Sequence, residues 1–420
     1  MEYTLYSDIE MGYGKSKVRL KMPEKNLIGV LRPVEPEVPE SEEAEIEGAL
    51  DNPIGSGRLE EIVRPGMKVV IMASDITRPS PTKKLLPPLI RRLERAGVKD
   101  EDITVVFGMG IHRNHTEEEK RVLVGAEIYE RFRCVDSTET GDFVFLGTTS
   151  RGTPLEVCRP VAECDFLIGT GNVEYHYFVG YSGGAKAVLP GACSRRTVEA
   201  NHSMQLLPGA EIARYDDNPV RQDIEEAGEI IGIDYILNVV LDDKKRIVKA
   251  VAGHPRMAHA AARQVVDSIY GVKIPERADI VIASAGGYPK DVNLYQAQKG
   301  LDNAGKAVRD GGTIILLGEC PEGLGEKTFE KYMTEMDVDD ILESIRRKFV
   351  LGGHKAAAIA RILKRADVFL VSSMDPELVR RCKLRPFRTL EEALEEAFNK
   401  HGPDARVLVM PYAGSTVPLI

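Results

Sequence analysis

What most limits the fold of this chain is a series of short, continuously apolar runs, each followed by a polar or glycine-rich turn and then a helical stretch. The runs are Lys68-Val-Val-Ile-Met-Ala-Ser74, Ile103-Thr-Val-Val-Phe107, Asp165-Phe-Leu-Ile-Gly169, Asp279-Ile-Val-Ile-Ala-Ser284, Thr313-Ile-Ile-Leu-Leu317, Asp367-Val-Phe-Leu-Val371 and Arg406-Val-Leu-Val-Met410. Hydrophobicity without alternation fits strands covered on both faces, as in a parallel α/β sheet. The stretches 83–96, 257–269 and 390–399 read as amphipathic helices that provide such cover. Two apolar runs flanking Asp242-Asp-Lys-Lys245 predict a hairpin over 235–252.

At 420 residues the chain exceeds one ordinary core. The expected architecture is α/β, with two Rossmann-like domains, mostly parallel sheets and an active-site cleft between the domains. The N-terminal, cofactor-binding catalytic domain is expected over 1–272, with 405–420 a candidate to complete it, and a C-terminal α/β domain over 278–400. The boundary falls where a helix ends at Gly271 and Pro275 precedes a new strand. The acidic, proline-bearing segment 35–47 reads as a solvated connection.

A formal net charge of -9 argues against a nucleic-acid surface. No stretch approaches the roughly 20 apolar residues of a membrane span. The N-terminus lacks a signal-peptide pattern, so a cytoplasmic location is expected. Six cysteines without a Cys-x-x-Cys pair read mostly as small buried side chains.

In α/β folds, ligands sit beyond the carboxyl ends of the strands, which directs attention to four segments. Ser74-Asp-Ile-Thr-Arg-Pro79 offers hydroxyl and carboxylate groups at a helix start, and Arg78 adds a planar cation suited to a carboxylate or phosphate. An ordinary capped helix start with an exposed Arg is the plainer alternative. Gly108-Met-Gly-Ile-His-Arg-Asn-His115 places His112 in a tight loop above the sheet, as a general base or simply a surface histidine. Thr116 with Glu119 forms a capping-box pattern.

The third segment, Gly169 to Gly191, is so rich in glycine that backbone can approach a ligand closely. It carries His176 and Lys186, and it matches neither a Walker A loop nor a dinucleotide turn. A desolvated Lys186 could bond to a carbonyl-like carbon; a structural turn with an exposed Lys is the alternative. His202 lies further on, at the end of a helical stretch. The fourth segment, Gly286 to Leu301, puts Gln296 and Lys299 on one helix face. No spacing of histidines suggests a zinc cage. Residue chemistry alone therefore indicates an acid/base enzyme acting on a small anion, with room for a bound cofactor.

Taken in order, Ser-Asp-Ile-Thr-Arg-Pro (74–79), Gly-Ile-His-Arg (110–113) with Thr116, the His176–Gly191 stretch, Asn201-His202 and Asn-Leu-Tyr-Gln-Ala-Gln-Lys (293–299) resemble the nickel-dependent lactate racemase family. The resemblance implies a racemase or epimerase of D- and L-2-hydroxy acids. It also implies a nickel-pincer nucleotide, Ni(II)-pyridinium-3,5-bisthiocarboxylic acid mononucleotide, made by dedicated cofactor-synthesis enzymes. By the same resemblance, Lys186 is the covalent tether and His202 the protein ligand of nickel. Asp75, Ile76, Thr77 and Arg78 hold the nucleotide, and Arg78 also meets substrate. His112 and His176 are the paired acid/bases, and Tyr295, Gln296 and Lys299 contact substrate.

Two departures concern the substrate. The family's lactate enzymes can place a Trp beside it, whereas this chain has none. Gly352-Gly-His-Lys355 and His115 are further points of variation, which keeps malate, longer hydroxy acids and sugar acids open. The rival readings are a lyase or dehydrogenase using a free nicotinamide, and a carrier that holds the nickel nucleotide without turnover. Oligomeric state is not legible.

Overall fold

The computed structural model describes residues 6–139, 141–347 and 350–419. It divides into two compact units, Glu35–Asp267 and a second that joins Met1–Val34 to Ser268–Ile420.

In Glu35–Asp267 the strands lie in the order Ile247–Gly253, Tyr235–Leu241, Phe166–Asn172, Val69–Ser74, Ile103–Gly108 and Arg133–Asp136. All neighbours are parallel except the outermost pair, Ile247–Gly253 with Tyr235–Leu241, which is the expected hairpin. From Val69–Ser74 the chain adds two strands on one side, then returns to the other side with Phe166–Asn172. That reversal opens a crevice at the carboxyl ends of Val69–Ser74 and Phe166–Asn172, the place where doubly wound sheets bind ligands. Both faces of the sheet are buried: Ile71, Val105 and Ile168 on one, Met72, Val106 and Leu167 on the other. Double burial explains why the runs do not alternate.

The other unit has six parallel strands, ordered Arg385–Phe387, Asp367–Val371, Val308–Leu317, Ala278–Ser284, Val407–Met410 and Leu27–Val30. Its composition corrects the expected division. Residues 1–34, assigned to the N-terminal domain, belong here. So does 405–420, which does not return to complete that domain. The physical reason is edge pairing and cover. Val407–Met410 pairs beside Ala278–Ser284, and Leu27–Val30 pairs beside it in turn. The antiparallel hairpin Tyr6–Tyr13 and Ser16–Pro23 alternates apolar and polar residues. Its Ile9, Met11, Leu20 and Met22 pack on Ile280, Ile282, Ile315 and Leu317.

The acidic segment is a second correction. Residues 42–51 form a helix, Glu42–Asp51, with Ser41 Oγ accepting the Ala44 N–H at 3.2 Å. Ile46 and Leu50, one turn apart, are buried. Glu47 meets Arg91 and Arg92, and Glu42 accepts the Ile247 N–H at 2.8 Å. Acidic residues here are one wall of a packed helix rather than a solvated tether. Among the described residues, no helix is long and apolar enough to cross a membrane.

Because the N-terminal hairpin completes the core of the C-terminal unit, Leu20→Ala should destabilise the protein by about 2–5 kcal/mol, as for other buried leucines. Denaturant unfolding measures this; an unchanged midpoint would mean that the hairpin is dispensable.

Candidate active site

Three of the four segments meet at the crevice of Glu35–Asp267. Asp75, directly after Val69–Ser74, is buried and fully engaged. Its Oδ1 accepts the Thr77 N–H at 2.8 Å and the Thr77 hydroxyl at 2.5 Å. Its Oδ2 faces His112 Nδ1 at 3.3 Å and Arg78 Nε at 3.5 Å. Burial works to raise the Asp75 pKa, but the hydrogen bonds from His112 and Thr77 outweigh it and hold the carboxyl well below the usual range. With Nδ1 held at the Asp75 carboxylate, Nε2 is the ring nitrogen turned away from it. The ring is 38% exposed.

The loop behind is braced. His115 Nε2 accepts the Ile76 N–H at 3.1 Å, while its Nδ1 lies 2.7 Å from Asp136 Oδ1. His115, offered above as a point of pocket variation, is therefore a buried brace joining two loops. Ile76 uses its amide for that brace, and its side chain is exposed. A Cβ added at Gly108 would stand 3.0 Å from the Gly191 Cα, and one added at Gly191 would stand 2.0 Å from the Ala187 carbonyl oxygen. Only glycine permits that approach.

From Phe166–Asn172 the chain enters a small hairpin, Tyr175–His176 with Gly180–Tyr181, and then a single turn, Gly184–Ala187, that bears Lys186. Gly183 and Gly184 have φ of 75° and 61°. The Gly184 N–H donates to Asn238 Oδ1 at 2.8 Å. Fully buried Arg221 donates to the Tyr181 and Gly183 carbonyls at 3.2 Å each, and to Glu225 at 2.7 Å through Nε. His259 Nε2 lies 2.8 Å from the Ser182 carbonyl, and the Tyr175 and Tyr181 hydroxyls share Asp267 Oδ1 at 2.8 Å.

Phe178 stands between two histidines. Its ring meets His176 edge-on at 4.8 Å and His202 at 5.1 Å, while His176 stacks on Tyr177 at 5.1 Å. His176 Nδ1 accepts the Val179 N–H at 3.3 Å, so the ring proton sits on Nε2. Burial above all, with the Arg78 guanidinium nearby, pushes His176 well below its ordinary value and keeps it neutral. Burial and the nearby Arg78 and Arg221 guanidiniums bring Lys186 down to about 7. Burial, with Lys186 and Arg78, takes His202 to about 3.

Lys186, His176, His202, Arg78, Asp75 and His112 therefore share one electrostatic neighbourhood. Tyr295, Gln296 and Lys299 lie in the other unit, on the helix Leu294–Ala307. Gln296 and Lys299 are exposed on one face. Tyr295 packs edge-on against Phe329 at 5.5 Å, with Lys355 Nζ 3.9 Å from its ring centroid.

Arg221, Glu225, Asn238 and His259 escaped the sequence reading. They sit inside ordinary helix and strand patterns, and only the unusual Asn within the apolar run Tyr235–Leu241 offered a signal. The cysteines are free; Cys158, Cys193, Cys320 and Cys382 are buried, Cys134 and Cys164 less so.

Comparison with known proteins places these features in context. The lactate racemase N-terminal domain matches residues 13–213, and the lactate racemase C-terminal domain matches 274–417. A lactate racemase from Thermoanaerobacterium thermosaccharolyticum is 34% identical over 98% of this chain and 99% of its own. One from Lactiplantibacillus plantarum is 34% identical over 96% of this chain and 97% of its own. The solved structure of the Thermoanaerobacterium lactate racemase apoprotein superposes with a TM-score of 0.83, covering 99% of this chain and 100% of that one. A Thermotoga maritima protein, 18% identical with a TM-score of 0.57, shares the fold; the match covers 92% of this chain and 100% of that one.

A depressed lysine is a free amine near neutrality. Competitive acetylation of the cofactor-free protein, read by peptide mass spectrometry, should show Lys186 reacting with a midpoint near pH 7. A midpoint at the ordinary lysine value of about 10.4 would refute the desolvated site.

Proposed function

This chain belongs to the lactate racemase family and is an isomerase, and from that premise we propose that it interconverts the D and L forms of a small 2-hydroxy acid such as lactate. The observation that carries this reading is a pair of imidazoles with opposite contacts at Nδ1. His112 turns Nδ1 to a carboxylate, whereas His176 accepts a backbone N–H at Nδ1 and so carries its proton on Nε2. Inverting a carbinol centre calls for proton handling on both faces of a planar intermediate, and one acceptor with one donor is a competent resting state.

The family's nickel-based cofactor fits the residues present. Lys186, a free amine near neutral pH, would form the covalent tether. His202 would ligate nickel through Nε2. Arg78, with the braced loop Asp75–Thr77, would hold the nucleotide. When bound, the nickel-pincer nucleotide supplies reversible hydride transfer at the carbon bearing the hydroxyl.

The chain's own residues supply the rest. Arg78 pairs with the substrate carboxylate. His112 takes the hydroxyl proton at Nε2, and Asp75 stabilises the imidazolium, as a carboxylate behind a catalytic histidine does. His176 holds the substrate oxygen through its Nε2–H while charge develops; a neutral imidazole is competent for that role. For His176 to act as the base in its turn, its ring proton must first sit on Nδ1, giving up the Val179 contact, so that Nε2 has a lone pair to take the hydroxyl proton. Aromatic packing by Tyr177 and Phe178 fixes the ring plane through this exchange.

The test uses protein produced together with the cofactor-synthesis enzymes. D- or L-lactate should drift to the racemate, read by chiral chromatography. His112→Ala and His176→Ala should each lower kcat by about 10²–10⁴-fold while keeping the cofactor mass on the intact chain. Lys186→Ala should lose that mass. Full activity in both histidine variants would favour a carrier, and an adduct surviving in Lys186→Ala would move the tether elsewhere.

A specific observation favours a second reading of the substrate. Lys355 is half-buried, donates to the Tyr295 carbonyl at 2.7 Å, and is lowered to about 8 by burial and by Lys299. Two neighbouring cations beside Tyr295 suit a substrate with a second negative charge, such as malate. Lys355→Met should lower the malate-to-lactate ratio of kcat/KM by about tenfold, equivalent to about 1.4 kcal/mol. An unchanged ratio would leave Lys355 a purely structural role.

A further inference from the structure

His202 has a neighbour whose role goes beyond the readings above. Asn201 and Asp223 are completely buried in Glu35–Asp267. Asn201 Nδ2 donates to Asp223 Oδ2 at 2.8 Å and to the Val220 carbonyl at 3.3 Å. Both partners can only accept, so the amide orientation is determined: nitrogen inward, Oδ1 outward. Oδ1 lies 3.1 Å from His202 Nδ1. A carbonyl oxygen cannot donate, so His202 Nδ1 must carry the ring proton and Nε2 must be the lone pair.

Asp223 is itself held by two hydroxyls. Thr149 Oγ1 donates to its Oδ1 at 2.5 Å, and Thr153 Oγ1 donates to its Oδ2 at 2.8 Å. These donors come from the turn between the strands Phe143–Thr148 and Pro154–Cys158, well separated in sequence from the helix Arg195–Ser203 that carries His202. The direction of the whole chain, Thr149 and Thr153 to Asp223, Asn201 to Asp223, His202 to Asn201, follows from one permanent acceptor at its buried end. Phe178 packs edge-on against the His202 ring at 5.1 Å.

We propose that Asn201, oriented by Asp223, is a positioning residue that locks His202 as the Nδ1–H tautomer and so presents Nε2 to the metal. The inference rests on the reading of His202 as the nickel ligand. Partners of this kind orient a ligating imidazole and raise its basicity, and their loss commonly weakens metal binding by about 10–100-fold. Asn201 never touches the metal; it acts through His202.

Two readouts test it, and the first needs no cofactor. In cofactor-free protein with ¹⁵N-labelled histidine, long-range ¹H–¹⁵N spectra report the tautomer of each ring, and His202→Ala assigns the signal. The wild type should show His202 protonated at Nδ1. Asp223→Asn frees the Asn201 amide to turn, so the signal should shift toward the Nε2–H form. The exchanged pair Asn201→Asp with Asp223→Asn again puts an acceptor beside His202 and a donor behind it, and should restore the Nδ1–H form. An Nε2–H tautomer in the wild type, or no change in Asp223→Asn, would overturn the proposal.

The second readout is nickel per chain in protein produced with the cofactor-synthesis enzymes and then dialysed. Asp223→Asn should retain about 10–100-fold less nickel, and the exchanged pair should recover it. Thermal unfolding of each cofactor-free variant separates this effect from misfolding, and recovery by the exchanged pair does so independently. Nickel unchanged in Asp223→Asn despite a shifted tautomer would overturn the positioning role. Nickel unchanged in His202→Ala would instead overturn the assignment of His202 as ligand.

Discussion

A completely buried guanidinium, Arg221, is the interaction on which the site depends. The loop Gly180–Ala187 turns on three left-handed glycines, and its Tyr181, Ser182 and Gly183 carbonyls meet side chains beneath it. Arg221 satisfies two of those carbonyls and His259 a third, while Asn238 takes an amide. An unpaired buried polar group costs about 1–3 kcal/mol, so without these partners the loop would not hold its shape. Glu225 in turn neutralises Arg221; a buried charge left alone would be more costly still. The conformation that carries Lys186 is thus held from beneath, by buried side chains.

The imidazoles follow the same logic. His112, His176, His202 and His115 differ little as residues, yet each has a distinct partner at Nδ1: a carboxylate, a backbone N–H, an amide oxygen and a second carboxylate. Those partners decide which nitrogen carries the proton, and hence whether the other nitrogen accepts, donates or braces. Placing the protons in advance leaves less rearrangement for turnover. Three rings keep a nitrogen for chemistry in the proposed function. In His115, whose ring uses both nitrogens for structure, nothing is left over.

Much of the fold was legible because its signals are local. Uninterrupted apolar runs announce strands covered on both sides, and the capping pattern at Thr116–Glu119 forms as written. The hairpin over 235–252 and the helices after each strand are equally local. The misreadings share one cause. Residues 1–34 and 405–420 could be placed only by knowing which sheet edge was open. The acidic segment 35–47 read as solvated because its partners, Arg91, Arg92 and the strand Ile247–Gly253, lie about forty to two hundred residues away along the chain. A charge pattern does not reveal a partner that the fold brings in from elsewhere.

The glycine-rich stretch with His176 and Lys186 stands out in the amino-acid sequence, because that chemistry is written in consecutive residues. Glycine permits φ above zero and close backbone approach whatever surrounds it, and a lysine amid glycine and apolar residues is marked by its neighbours along the chain. The protonation of those groups could not be read in this way. Tautomers and shifted pKa values depend on burial and on partners such as Asp75, Asn201, Asp223 and Arg221, met only across the fold. By itself, then, the sequence determined which residue types line the crevice. Tertiary structure alone decided which of their atoms carry protons, because a hydrogen bond is made between neighbours in space.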